Sequence, residues 1–210
     1  MLYLGFNTLP RSVFWSANSI ARSDNADVIP LKQEFLMTSD MPCSPYLIFM
    51  KCDGRYSDTD LLGEFGVADY EPICAVPQHG PYTAFCTCGD WTLIADDGRY
   101  SLCSSPTTRI AICRLSEHMD IFAHTVGDCD NSFDFIYYRN GTRVREYVVV
   151  DPDFNSSIVK LDFGKPLPGE NEAPALDDRF FGMLTIPRAL GIPTPTLDSE
   201  YRIYSHLNSG

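Results

Sequence analysis

The sequence contains none of the short motifs that mark the common enzyme classes. It has no GxSxG nucleophile elbow, no GxxxxGK(S/T) phosphate loop, no GxGxxG fingerprint and no HExxH zinc motif. These absences count against the common hydrolase, nucleoside triphosphatase and dehydrogenase classes. We therefore predict no catalytic residues and no enzyme activity. The alternative is a hydrolase whose Asp, His and Cys side chains come together from distant positions.

Long apolar runs are also missing. No window approaches the ~20 apolar residues that a membrane-spanning helix needs. The opening MLYLGFNTLPRSVFW has neither the cationic start nor the apolar stretch of a signal peptide. We therefore expect a cytoplasmic protein with no membrane partner, in which the eight cysteines are mostly reduced and buried.

Paired CxxC sequences are absent as well. Cys86 and Cys88 form a single CxC, whose two side chains would point to the same face of a strand. A zinc ion would need two more ligands, and the sequence supplies none at zinc-finger spacing. We predict neither a metal nor any other cofactor.

Basic residues are scarce relative to acidic ones. The 16 Lys and Arg residues against 28 Asp and Glu residues give a net charge of −12 and a pI near 4.6. This charge repels phosphate backbones and anionic membranes, so nucleic acid is not an expected partner. It suits rapid association with a basic protein, although an acidic protein can also be merely soluble. The 210 residues, 44% of them apolar, are enough for one substantial core.

Short segments rich in branched and aromatic residues predict strands. They are LYLGF, VIPLKQEFLM, YLIFMKC, EPICAV, YTAFCTC, WTLIADD, RYSLC and DIFAHTV. A tight hairpin is predicted at Asp97-Gly98. Together with a few helices packed on the sheet, they predict a mainly antiparallel α+β fold. We expect one domain over residues 1–210, with 1–75 as a candidate N-terminal subdomain.

The clearest helix is SPTTRIAICRLSEHM, with Ser105 as its N-cap and Ile112, Leu115 and Met119 toward the core. Shorter helices are predicted over residues 10–21, 58–64 and about 179–190, the last ending before Gly191. An exposed Pro/Gly loop is expected between residues 164 and 174, and SHLNSG is expected to be a frayed tail.

The segment GDCDNSFDFIYYRNGTRVREYVVV predicts a hairpin with Asn140-Gly141 as a two-residue type I′ turn. In that register Tyr137 faces Val144 and Phe133 faces Val148. Phe133, Phe135, Tyr137, Val144 and Val148 then share one apolar face, which Glu146 interrupts. The other face carries Ile136, Tyr138, Arg143, Arg145 and Tyr147.

Acidic residues crowd the entrance of this hairpin and the segment that follows it. Asp128, Asp130 and Ser132 begin like a calcium loop, but Phe133 replaces the required glycine and Arg139 the bidentate glutamate. An Asx-type turn is the structural interpretation that we favour. As a surface for a basic partner, we predict the following residues: Asp128, Asp130, Asp151, Asp153, Glu170, Glu172, Asp177 and Asp178.

The region from Trp91 to Phe154, together with the phrase LDFGKPLPGE, resembles small bacterial proteins encoded beside secreted polymorphic, Rhs-like or type VI toxins. Those proteins are the immunity proteins of the toxins. The resemblance implies a cytoplasmic, non-enzymatic protein that binds a cognate basic toxin domain and blocks its active site. It covers roughly the C-terminal two-thirds of the chain, and the N-terminal third carries no resemblance.

Overall fold

The computed structural model describes residues 46–74, 81–96, 106–127, 132–151, 156–172, 184–195 and 199–207. These residues form one antiparallel sheet of nine strands: β1 Tyr46–Met50, β2 Tyr70–Ile73, β3 Tyr82–Cys88, β4 Trp91–Asp96, β5 Ile121–Val126, β6 Phe133–Arg139, β7 Thr142–Val150, β8 Ile158–Gly164 and β9 Tyr201–His206. Their order across the sheet is β2-β9-β3-β4-β1-β5-β6-β7-β8. The predicted mainly antiparallel α+β fold is confirmed.

Three helices complete the described residues: α1 Asp58–Glu64, α2 Pro106–Leu115 and α3 Thr185–Ala189. Helix α1 begins with a capping box in which Ser57 and Asp60 satisfy each other's backbone N–H groups. In α2 and the turn after it, Ile112, Leu115 and Met119 are buried as predicted. None of the three helices combines the length and apolar character needed to cross a membrane.

The sheet is covered on both faces. Strand β1 lies at its centre, and its successive residues Ile48 and Phe49 are both fully buried although they point to opposite sides. Helices α1 and α2 cover one side, which we call the helix face. Helix α3 and Leu167 cover the other, which we call the loop face. A sheet covered in this way explains why the central strands are apolar at nearly every position.

The predicted hairpin forms, but its predicted register is wrong beyond the turn. Asn140 and Gly141 have φ values of 50° and 73°, as a type I′ turn requires. After the pair Tyr138–Arg143, however, a β-bulge at Val144 places Tyr137 opposite Arg145. One extra residue reverses the direction of every later side chain in the strand. Arg145, Tyr147 and Val149 therefore lie on the loop face, and Glu146 and Val148 lie on the helix face.

Two C-terminal predictions also need correction. The SHLNSG segment is not all frayed, because strand β9 extends to His206 and pairs with both β2 and β3. The predicted exposed loop contains Leu167 and Glu170, which are both buried. The last predicted helix is found at Thr185–Ala189, with Gly191 after it at a φ of 76°, while residues 179–183 of its predicted range lie outside the described residues.

Several predictions fall outside the described residues. They are the strands LYLGF, VIPLKQEFLM and RYSLC, the helix over 10–21, the cap Ser105 and the hairpin at Asp97-Gly98. The domain division stays a prediction for the same reason. The described cysteines, at 52, 74, 86, 88 and 113, are free; Cys74 and Cys113 are exposed, contrary to the expected burial.

Candidate functional site

The eight acidic residues predicted to form a binding surface do not behave as one set. Asp128, Asp130, Asp153, Asp177 and Asp178 lie outside the described residues. Of the other three, only Glu172 is exposed. Asp151 and Glu170 are 2% and 9% exposed, so the expectation that their carboxylates face outward is wrong.

Asp151 and Glu170 are buried because the chain itself uses their carboxylates. Asp151 accepts hydrogen bonds from the Ser156 backbone N–H at 3.1 Å and the Ser157 hydroxyl at 2.8 Å. Glu170 accepts one from the Leu167 backbone N–H at 2.8 Å and pairs with the Arg145 guanidinium. A buried carboxylate satisfied in this way stabilises the fold and is not free to contact a partner.

Arg145 is the centre of a buried network that follows directly from the bulge. Its guanidinium pairs with Glu170 and Asp162 and donates to the carbonyl oxygens of Phe163 and Gly164 at 3.0 and 3.2 Å. It also lies over the Tyr147 ring, 4.9 Å from the centroid. Through these ion pairs and hydrogen bonds, Arg145 of strand β7 binds strand β8 and the segment after it.

A cluster of charged residues lies on the helix face, between α2 and strands β6 and β7. Glu146, buried on this face by the bulge, forms ion pairs with Arg109 and Arg143. Asp134 lies nearby in the same small cavity. Burial raises the pKa of Asp134 to about 6, with Arg109 opposing the rise and Glu146 adding to it.

This cluster bears on the hydrolase alternative. Asp134 lies within β6, and its pKa is raised as that of a general acid would be. The cavity beside it, however, measures about 40 Å³. That volume accommodates a few water molecules, whereas pockets for small-molecule ligands measure roughly 300–1,000 Å³.

Strand β8 carries a surface that sequence reasoning missed. All seven of its residues are exposed, including four large apolar side chains. They are Ile158 at 49%, Val159 at 51%, Leu161 at 37% and Phe163 at 39% exposure. We call these four residues the β8 patch. The sequence signal was the apolar content of IVKLDF, which the many acids around it obscured.

Within the described part of the chain, the β8 patch lies on an edge of the sheet. Among the described residues β8 pairs only with β7, so the backbone groups on its outer side have no strand partner there. The opposite edge differs, because β2 has four residues and includes Pro72 and Glu71, features that discourage strand addition. Strand β8 has seven residues and no proline, and four of its side chains are large and apolar, so it is the less protected of the two edges even though Lys160 interrupts it.

Phe163 and Leu161 point to the helix face beyond the area that α2 covers. The register places them opposite Glu146 and Val148 of β7. The guanidinium of Arg143 lies over the Phe163 ring at 4.0 Å from its centroid. The patch therefore joins an apolar surface to an arginine that is already held by Glu146, a combination typical of protein-binding surfaces.

Comparison of the chain with protein-family models, curated proteins and solved structures gives no match.

Proposed function

We propose that this protein is an immunity protein that binds the toxic domain of a secreted bacterial effector and neutralises it by blocking its active site. The β8 patch carries the proposal, because it provides exposed apolar side chains on a sheet edge that has no further strand partner among the described residues. Isolated exposed apolar residues are ordinary, but Leu161 and Phe163 lie on one face of this edge strand and Val159 on the other, which suits a partner that adds along the edge.

The β8 patch would supply the binding energy. A strand of the toxin domain added to the outer edge of β8 would satisfy the open backbone groups, while Leu161 and Phe163 would fill apolar depressions on the partner. Interfaces of this kind depend on a few desolvated anchors, among which aromatic residues and arginine are enriched. Phe163 with Arg143 over its ring meets that description.

The acidic residues would have a different role, which is to speed the encounter. A net charge of −12 attracts a basic toxin domain over distances comparable to the Debye length, about 8 Å at physiological salt. Of the predicted acidic surface, the exposed Glu172 is a candidate for this role among the described residues. Asp128, Asp130, Asp153, Asp177 and Asp178 remain predicted contributors.

The test is to identify the large secreted protein encoded beside this one and to co-express its C-terminal domain with the full chain. We expect the host to survive only when both are present, and we expect the two to co-purify at low and high salt. Absence of a toxin-like partner in pull-downs from the native host, together with no protection, would remove the proposal.

Variants of the β8 patch locate the interface. Leu161→Ser and Phe163→Ser should each weaken the complex by about 2 kcal/mol or more, roughly 30-fold in Kd. The matched control is Leu207→Ser, an apolar residue 55% exposed just after β9, near the opposite edge of the sheet. It should leave affinity unchanged. If the control weakens binding as much as the patch variants, β8 is not the docking edge.

The second candidate function is a hydrolase that uses the buried carboxylates. The raised pKa of Asp134 beside Glu146 is the observation that favours it. Asp134→Asn would abolish a hydrolase activity, and it would leave protection against the toxin intact if protection depends on binding. If Asp134→Asn lost protection while still forming the complex with the toxin, an enzymatic mechanism of protection would be favoured.

A further inference from the structure

The CxC segment places two thiols side by side on strand β3. Cys86 and Cys88 point to the same face, as the alternation of a strand predicts, and their sulfur atoms are 3.6 Å apart. Cys86 is 1% exposed, whereas Cys88 is only half-buried. The sulfur pair is therefore shielded on one side and approachable from the other.

The surroundings of the pair are those of a partly desolvated site for a soft ligand. On the neighbouring strands Leu93 lies opposite Cys86, Trp91 opposite Cys88, and Tyr201 opposite Cys86 on the other side. The Tyr201 hydroxyl is buried and makes no hydrogen bond within the described part of the chain. The Ser199 side chain is a polar neighbour that hydrogen-bonds Cys86.

The sulfur separation fits a shared metal ion better than a disulfide. Two thiolates bound at about 2.3 Å to one ion lie roughly 3.8 Å apart at a tetrahedral angle and roughly 4.0 Å apart at a trigonal one. A disulfide needs about 2.05 Å, so the sulfurs would have to approach by another ~1.5 Å. Residues two apart on a strand have Cα atoms about 6.6–6.8 Å apart, at the upper limit that a disulfide spans.

We propose that Cys86 and Cys88 form a binding site for a soft, thiol-seeking ion of the Cu(I) class, held by the two sulfurs with a further position open to an external ligand. Thiolates select such ions. A closed four-ligand zinc site is a different case, since no third Cys, His, Asp or Glu joins the pair among the described residues.

The experiment uses the reduced full-length protein and two probes, Cu(I) under anaerobic conditions and phenylarsine oxide. Phenylarsine oxide reacts with both thiols: two S–As bonds form, and the arsenic-bound oxygen leaves as water with both thiol protons. We call the resulting link between the two sulfurs the arsenic bridge. Peptide mapping of the wild-type protein should place the arsenic bridge on the peptide that contains Cys86 and Cys88. Mapping requires no variant, so the site can be tested even if a substitution prevents folding.

Cys88→Ser should lose the bridge and weaken Cu(I) binding by more than the ~10- to 100-fold that loss of a supporting group costs. The matched control is Cys113→Ser, which removes an exposed single thiol and should retain one equivalent of Cu(I) and the bridge. Mapping of the bridge to other cysteines, or equal Cu(I) binding by Cys88→Ser and the wild-type protein, would overturn the proposal.

Discussion

Asp134→Asn should stabilise the protein at neutral pH and have little effect in acid. Burial raises the pKa of Asp134 to about 6 from an ordinary value of 3.8. Between these two values the folded protein binds more protons than the unfolded chain, so the free energy of unfolding decreases as pH rises. A shift of about two pKa units corresponds to about 3 kcal/mol, lost between roughly pH 4 and pH 7. Asparagine has a similar shape and no charge, so this decrease in the free energy of unfolding is absent from Asp134→Asn.

The charged groups around Asp134 set the size of this effect. Arg109 partly compensates the half-buried carboxylate, but it is already paired with Glu146, which repels Asp134. Glu146 is paired with Arg143 as well. Asp134 therefore lies beside an ion-pair cluster whose positive charge is directed mainly at another carboxylate. Desolvation is the largest cause of the raised pKa, and Arg109 does not cancel it.

The assay is urea unfolding of the wild-type protein and Asp134→Asn at several pH values from about 4 to 8. The difference in unfolding free energy should be close to zero at the acid end and reach about 3 kcal/mol at neutral pH. Other titrating groups contribute equally to both proteins and cancel in the difference. Glu172→Gln, at an exposed carboxylate, is the matched control for removal of one negative charge. If the difference in unfolding free energy for Asp134→Asn did not change with pH, the reasoning that burial raises the pKa of Asp134 would be refuted.

Three further predictions concern the bulge and the network it creates. Arg145→Met should cost about 3–5 kcal/mol in urea unfolding because Glu170 is left buried without its partner, and adding Glu170→Leu should recover most of it. Gly164→Ala should lower the free energy of unfolding more than Gly89→Ala. Both glycines have a positive φ, but of the two only Gly164 lies so close to a backbone group, the Val144 carbonyl, that an added Cβ would clash with it. Deletion of Val144 should leave a folded protein, judged by circular dichroism and a cooperative transition. If β7 had no bulge, the deletion would turn every later side chain over and prevent folding.

Local patterns were sufficient to predict most of the described secondary structure. The capping box of α1, the apolar stripe of α2 and the Asn140-Gly141 turn each depend on a few neighbouring residues. Their energies favour the same local conformations that the sheet requires, so the predictions agree with the structure. The same is true of Cys86 and Cys88, whose shared direction follows from strand alternation alone.

The bulge could not be predicted in the same way. An extra residue in a strand has no compositional mark, and Val144 fits a regular strand as well as a bulged one. Its conformation depends on contacts beyond the hairpin, above all on burial of the Arg145 guanidinium against Glu170 and Asp162. Those partners lie 25 and 17 residues away along the chain. The predicted placement of Arg145 on the face opposite the apolar one, and of Val148 on the apolar face, failed for this reason.

The acidic surface was overestimated for a related physical reason. A count of carboxylates indicates net charge but does not show which of them will find internal donors. Asp151 has the hydroxyl and N–H groups of a following serine pair, and Glu170 has an arginine brought near by the bulge. Each of these hydrogen bonds and ion pairs offsets part of the free energy that burial of the carboxylate costs. Glu172, two residues after Glu170, is exposed.

Local charge at the proposed docking edge restricts which strand can bind there. Lys160 lies at an irregularity between the pairs of β7 and β8, and it and Lys165 are exposed in a protein whose net charge is negative. A lysine and a bulge on an edge discourage indiscriminate pairing. A basic toxin domain can still be attracted by the overall charge, but the strand that adds to β8 would have to place an acidic or neutral residue beside Lys160. The partner would have to be basic overall and yet carry an acidic or neutral residue beside Lys160. These two requirements together would let β8 discriminate its cognate partner from other basic proteins.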